Sequence, residues 1–246
     1  MSEELDRSTE PGSEAAPSSP AFSPSRYRFT TGVRAGEKVT IRGDDDAELL
    51  SYRSFASVVG IVAIVVSVVV LVTGAAAVTF LAAEGRAVPA IAAAVLSGGF
   101  AVVIAMLVPP TNVTLYEDAL PAVQISQESN VSFPSVTFVV ATPDRRVLAR
   151  FHKSVWSRLA RNRWSIVNAS DRPVGFAIEE SLSRALLRKV AGKFSRHYEA
   201  NLHIDYQGKD VGTILRRGAE DVLELHGDID RRVAVALATL ILGSEP

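Results

Sequence analysis

Cysteine is absent from all 246 residues. That excludes disulfides, thiolate metal sites, cysteine nucleophiles and S-palmitoylation, and it fits a reducing compartment. Neither sign of charge dominates: 26 Lys and Arg against 27 Asp and Glu leave a net charge of −1. Global charge therefore gives no reason to expect a nucleic-acid partner. Residues 1–24 are acidic and lack an apolar core, so no cleavable signal is expected there. The first apolar helix must then act as its own insertion signal. Enzyme signatures are missing as well. There is no Gly-rich phosphate loop and no nucleophile elbow, and His152, His197, His203 and His226 have no metal-ligand spacing. The expectation is a non-enzyme with no catalytic residue, metal or cofactor.

The most informative absence is local. No side chain in residues 55–83 or 87–108 is charged, and both runs are mostly Val, Ala, Ile and Leu. Only Glu84-Gly85-Arg86 separates them, and Pro109-Pro110 follows. A helix rises about 1.5 Å per residue, so about 20 apolar residues cross a bilayer core of about 30 Å. The chain is read as a transmembrane helical hairpin, 55–83 and 87–108, with both chain ends on one side. Ser57, Ser67, Thr73 and Thr79 can bond back to their own helix. Ala90, Ala94 and Gly98, at four-residue spacing, would let the two helices approach closely. With no ionisable group inside either span, the hairpin reads as an anchor and not a transporter. Arg26, Arg28, Arg34, Lys38, Arg42 and Arg53 precede it, against Arg86 alone in its turn. Basic residues favour the inner side, so a multi-pass protein with cytoplasmic N- and C-termini is expected.

Around the hairpin, residues 1–25 read as a disordered tail rich in Ser, Pro and Glu. Residues 26–54 read as a cytoplasmic juxtamembrane segment. In it Tyr27, Phe29, Val33, Val39 and Ile41 suggest a weak hairpin packed on the later domain, and Asp44-Asp45-Asp46 a solvated turn and helix cap. Roughly 135 residues remain from position 111, the size of one domain. Three of its segments are alike, at 144–151, 171–178 and 208–215, and each follows an alternating apolar run at 137–140, 164–167 or 202–206. Strand, tight polar turn and strand is the reading. Repeated hairpins predict a meandering antiparallel sheet closed into a barrel, since closure removes edges. Residues 179–196 look helical, with Glu179 and Glu180 at the start and Arg188, Lys189, Lys193 and Arg196 toward the end. Residues 233–242 are apolar on every face but too few to span a bilayer, so they predict a helix buried inside the barrel, capped by Asp228 or Asp230.

These residues resemble a known family. The strand-turn-strand units, Trp164-Ser165-Ile166 before its turn, and Asp228-Ile229-Asp230 leading into the apolar helix are similar to the tubby-like superfamily. The phospholipid scramblase and LURP-one-related branch is closest, over residues 111–246. The resemblance implies a twelve-stranded barrel around a central C-terminal hydrophobic helix. The fold class expected is thus membrane-anchored α+β: a transmembrane hairpin followed by a tubby-like β-barrel. Glu220, Asp221, Glu224, Asp228 and Asp230 resemble that branch's calcium segment. Here, however, the segment is about one residue shorter, and Gly218 stands near the first acidic position. The palmitoylated cysteines are missing too, so family-type calcium control is not carried over.

Electrostatics supplies the candidate site. Arg145, Arg146, Arg150, Lys153, Arg158, Arg161 and Arg163 follow one another with no intervening acid, interleaved with Phe151, Trp156 and Trp164. Beside an anionic leaflet each basic residue contributes about 1 kcal/mol, and Trp favours the interface. Seven cations and Trp156 are therefore the expected lipid-binding residues, with the membrane and anionic phospholipid headgroups as partners. A scramblase-like role in lipid movement is the extension the resemblance implies. The alternative is a membrane-tethered protein-interaction module with an unidentified partner.

Overall fold

A computed structural model describes residues 19–30, 36–53, 58–107, 110–129, 134–154, 157, 162–179, 200–216 and 220–244. Twelve antiparallel strands close into one barrel. Three precede the apolar helices: β1 (Arg26–Phe29), β2 (Lys38–Arg42) and β3 (Glu48–Arg53). Nine follow: β4 (Asn112–Glu117), β5 (Leu120–Gln127), β6 (Ser135–Ala141), β7 (Val147–Ser154), β8 (Arg163–Asn168), β9 (Pro173–Glu179), β10 (Ala200–Tyr206), β11 (Lys209–Arg216) and β12 (Asp221–Leu225). Each strand from β4 to β12 pairs with the next, β12 returns to β1, and β3 meets β4 across the hairpin.

This corrects the expected domain boundaries. Residues 26–53 are not a juxtamembrane segment but a quarter of the barrel wall. Alternation in β1, β2 and β3 turns Tyr27, Phe29, Val39, Ile41, Leu50 and Tyr52 into the core. The expected disorder of 1–25 also fails at its end. Pro20–Phe22 form a 3-10 turn whose Ala21 and Phe22 are buried in the same core, Phe22 being the one aromatic residue of that stretch. Residues 1–18 lie outside those described. Asp44-Asp45-Asp46 make the β2–β3 turn, as the solvated reading has it. They cap no helix, because a strand follows: Asp45 Oδ1 accepts from the Ala47 N–H, and Asp46 takes the left-handed conformation, φ 63°.

The three look-alike segments are the hairpins β6–β7, β8–β9 and β10–β11. Each turn holds a non-glycine residue at positive φ: Arg145, Asp171 and Gln207. Such a turn matches the right-handed twist of its strands.

The last helix, α3, is Arg231–Ser244. From Val233 to Ile241 every side chain is buried. It touches β12, β5 and β7, strands on nearly opposite sides of the ring, and so runs through the barrel interior. Eight strands leave room for side chains alone, whereas twelve leave a space that a helix about 10 Å across can fill. Ala234, Ala236 and Ala238 keep this one slim. Asp230 is its N-cap, accepting from Arg232 N–H at 2.9 Å. Thr239, its buried polar residue, donates to Val235 O at 2.8 Å. The helix expected over 179–196 lies outside the described residues, save Glu179, which ends β9.

Between β3 and β4 stand α1 (Val58–Ala83) and α2 (Ala87–Leu107). Both are long and apolar enough to cross a membrane. Most of their described side chains face away from protein, Val72 and Val95 among them. The turn between them is a Schellman motif: Arg86 N–H donates to Leu81 O and Gly85 N–H to Ala82 O, with Gly85 at φ 74°. The helices meet along Ala90, Ala93, Ser97 and Ala101 on α2, and Gly74 faces Ser97. Ala94, expected in that contact, points outward. The contact steps by three, four and four residues, keeping to the helical repeat of about 3.6, which selects Ala93 over Ala94. Thr79 bonds back to Ala75 O and Ala76 O, as a hydroxyl with no other partner must.

Candidate functional site

Strand direction sorts the barrel into two ends. β3 runs toward α1 and β4 runs away from α2, so the hairpin leaves one rim. In an up-and-down ring, connections then alternate. The turns β2–β3, β4–β5, β6–β7, β8–β9 and β10–β11 all lie at the opposite rim, with the N-terminus of α3. The hairpin rim holds the ends of β1, β5, β7, β9 and β11, the starts of β2, β6, β8, β10 and β12, and the C-terminus of α3.

This sorting divides the basic stretch. Arg145 and Arg146 sit in the β6–β7 turn, at the far rim. Arg150 is on the outer wall, paired with Asp171 at 2.7 Å. Lys153 points into the barrel, 2 % exposed, with Nζ 4.6 Å from the centre of the Trp164 ring. Arg163 is exposed at the hairpin rim, its guanidinium 4.9 Å above Phe176. Trp156, Arg158 and Arg161 lie outside the described residues, between Ser154 and Asn162, which both belong to the hairpin rim. β7 has eight residues at about 3.3 Å each, so Arg146 and Arg163 stand roughly 25 Å apart along the wall. The expected single patch is therefore corrected. Arg145 and Arg146 stand a strand's length from Arg163, Lys153 faces the interior, and Arg150 lies on the outer wall between the rims, held by Asp171.

Sequence reasoning missed a layer of inward polar groups at the hairpin rim. Lys153 on β7, Asn162 before β8, Glu179 on β9, Arg216 on β11, Asp221 on β12 and Tyr52 on β3 ring the C-terminus of α3. Arg216 Nη2 donates to Ile241 O at 2.8 Å and to Leu242 O at 3.4 Å. These are carbonyls at the negative end of the helix, where a cation is stabilising. Alternation was the available signal: Ala149, Phe151 and Lys153 share one face of β7.

Burial pushes the Asp221 carboxyl up, and Arg216 opposes this. Burial also raises the Tyr52 hydroxyl far above its usual range, helped by Asp221. A carboxyl with a raised folded-state pKa holds its proton more tightly folded than unfolded. Its contribution is full below the unfolded value and is lost as pH rises through the folded one. Asp221→Asn should thus gain stability on the parent as pH rises from the acidic carboxylate range to neutrality. Paired melting curves at several pH values measure this. A variant less stable than the parent at neutral pH would mean that attraction to Arg216 outweighs burial.

Two other sequence features do not converge. Glu224 pairs with Arg26 on the wall at 3.5 Å, Asp230 caps α3, and Asp221 faces inward at the other rim. The acids resembling a calcium segment are thus spread from rim to rim. His226 and His203 approach Asp210 at 3.5 and 3.9 Å on the outside. Among the described residues no group of three or more His, Asp or Glu is placed to hold a metal ion. No protein-family model, curated protein or solved structure matches the chain.

Proposed function

We propose that the hairpin spans a membrane and that the barrel rests by its hairpin rim on the cytoplasmic leaflet, where it binds anionic phospholipid headgroups. One observation carries this reading: the hairpin is inserted between neighbouring strands, so both helices join the same rim. A closed barrel then lies wholly on one side, with both termini. The excess of basic residues flanking the hairpin over Arg86 alone in its turn makes that side cytoplasmic. Arg53 and Arg163 are exposed at the rim. The connection containing Trp156, Arg158 and Arg161 starts and ends there. The tubby-like, scramblase-related resemblance belongs to the same reading, since a twelve-stranded barrel around a terminal apolar helix is what it implies. The role proposed is binding; lipid movement is that resemblance's further step.

A chain with the hairpin replaced by a short loop tests the headgroup reading on vesicles. Arg158→Ala, Arg161→Ala and Arg163→Ala together should weaken binding to anionic vesicles by about 1 kcal/mol each at low salt. The loss should shrink as salt rises, and binding to neutral vesicles should not change. If a folded triple variant binds anionic vesicles as well as its parent, a protein-interaction module becomes the better reading.

A further inference from the structure

Residues 19–25 form a strap across the far mouth of the barrel, and its contacts follow the wall in ring order. The Ser19 hydroxyl donates to the Glu117 carboxylate at the end of β4. Pro20–Phe22 touch β3, and Ala21 and Phe22 are only 2 and 5 % exposed. Arg231, the first residue of α3, donates from Nη1 to Pro24 O at 2.8 Å. Ser25 O accepts from the Leu225 N–H, at the end of β12, at 2.7 Å. Phe22 is the strap's one large apolar anchor. Ser19 is its outermost tie and the N-cap of its 3-10 turn, the hydroxyl oxygen accepting from the Ala21 N–H at 3.2 Å.

The bond to Glu117 depends on the Ser19 proton, because an ionised carboxylate only accepts. Ser19 stands directly before Pro20, the dipeptide that proline-directed Ser/Thr kinases modify. A phosphoserine carries about −1.5 to −2 charge at pH 7 and, as a dianion, has no proton to donate. Opposite Glu117 it sets acceptor against acceptor and anion against anion. The β2–β3 and β4–β5 turns at the same rim add Asp44, Asp45, Asp46 and Asp118. Arg28 of β1 and Arg42 of β2 are paired with Asp46. A turn of three residues has too short a dipole to hold the phosphate at its start. Charge at Ser19 therefore drives the strap off instead of docking it.

We propose that Ser19 is a phosphorylation site and that its phosphate releases the strap, withdrawing Phe22 from the core and opening the far mouth beside the start of α3. The Ser19 oxygen attacks the terminal phosphorus of ATP, the bond from that phosphorus to the departing ADP breaks, and the hydroxyl proton passes to the kinase's general base. Ser19 is half-buried, so the kinase meets it when the strap lifts, and the phosphate then prevents its return. The inference takes only its compartment, where ATP is present, from the proposed function.

Amide hydrogen exchange on the full chain in neutral detergent micelles tests the release. Ser19→Glu should speed exchange at Phe22 and Ser23, whose N–H groups close the turn onto Ser19 O and Pro20 O, at least about tenfold. The β6–β7 ladder should not change. Ser19→Ala loses the bond without adding charge and should do less. Glu117→Lys added to Ser19→Glu should restore protection, because repulsion becomes attraction. Ser23 also precedes a proline, but its hydroxyl donates to Pro20 O on the exposed side, so Ser23→Glu should leave Phe22 protected. Mass spectrometry of the full chain from its own cells should find phosphate on Ser19. Equal effects of Ser19→Ala and Ser19→Glu would overturn the release. So would failure of Glu117→Lys to rescue, release by Ser23→Glu, or exchange rising over the whole barrel. A chain without phosphate on Ser19 would overturn the modification. No vesicle enters either arm, so a loss of headgroup binding leaves both results standing.

Discussion

Replacing residues 54–111 by a loop of about four residues should yield a water-soluble, monomeric, closed barrel, whereas residues 111–246 alone should not fold. β3 and β4 are neighbours, so a tight connection can join them once the helices are gone. The shorter fragment lacks β1, β2 and β3. It leaves β4 and β12 as bare edges and removes Tyr27, Phe29, Val39, Ile41, Leu50 and Tyr52 from around α3. Burying a large apolar side chain is worth about 1.5–3 kcal/mol, so six amount to roughly 10 kcal/mol or more. Typical domains are stable by about 5–15 kcal/mol in total. The loss is as large as what holds the fold together. Size-exclusion chromatography and near-ultraviolet circular dichroism of the two chains decide it. A monomeric 111–246 fragment with a cooperative melt would show that the first three strands are dispensable.

Leu237→Asp should unfold the barrel. Leu237 sits at zero exposure midway along α3, enclosed on all sides. Removing the leucine costs about 2–5 kcal/mol, as Leu237→Ala would measure. An unpaired carboxylate there adds several kcal/mol, or stays protonated at a similar cost. In the hairpin-free barrel, Leu237→Ala should melt lower but cooperatively, and Leu237→Asp should show no native transition at neutral pH. Equal effects of the two would mean that water reaches position 237 and α3 is not enclosed.

How much of this the sequence discloses depends on how local the cause is. The two apolar helices follow from composition alone. The hairpins β6–β7, β8–β9 and β10–β11 follow from period-two runs around polar turns. α3 follows from being apolar on all faces yet too short to span. The first two strands were visible as alternation at Tyr27, Phe29, Val39 and Ile41, while β3 went unread. Their membership of the barrel was not visible, because β1 pairs with β12 and β3 with β4 across the whole hairpin. Pairing of that range leaves no mark in a local window. The basic stretch shows the converse error. Density along the chain was taken for density in space, while β7 carries Arg146 and Arg163 to opposite rims and Lys153 to the inside. Alternation through Ala149, Phe151 and Lys153 held the correction.

The order in which the chain is made now acquires a cost. β1 pairs with β2 on one side, but its other edge finds no partner until β12 exists, nearly two hundred residues later, and the helix that fills the interior comes after that. At about 5–20 residues per second the delay is roughly 10–40 s. For the latter part of it β1, β2 and β3 wait beside two finished apolar helices, with the outer edge of β1 open and their aromatic faces bare. That interval is when a neighbouring copy can add to the edge. Conditions that slow synthesis should therefore raise aggregation of this protein more than conditions that lower the stability of its finished barrel.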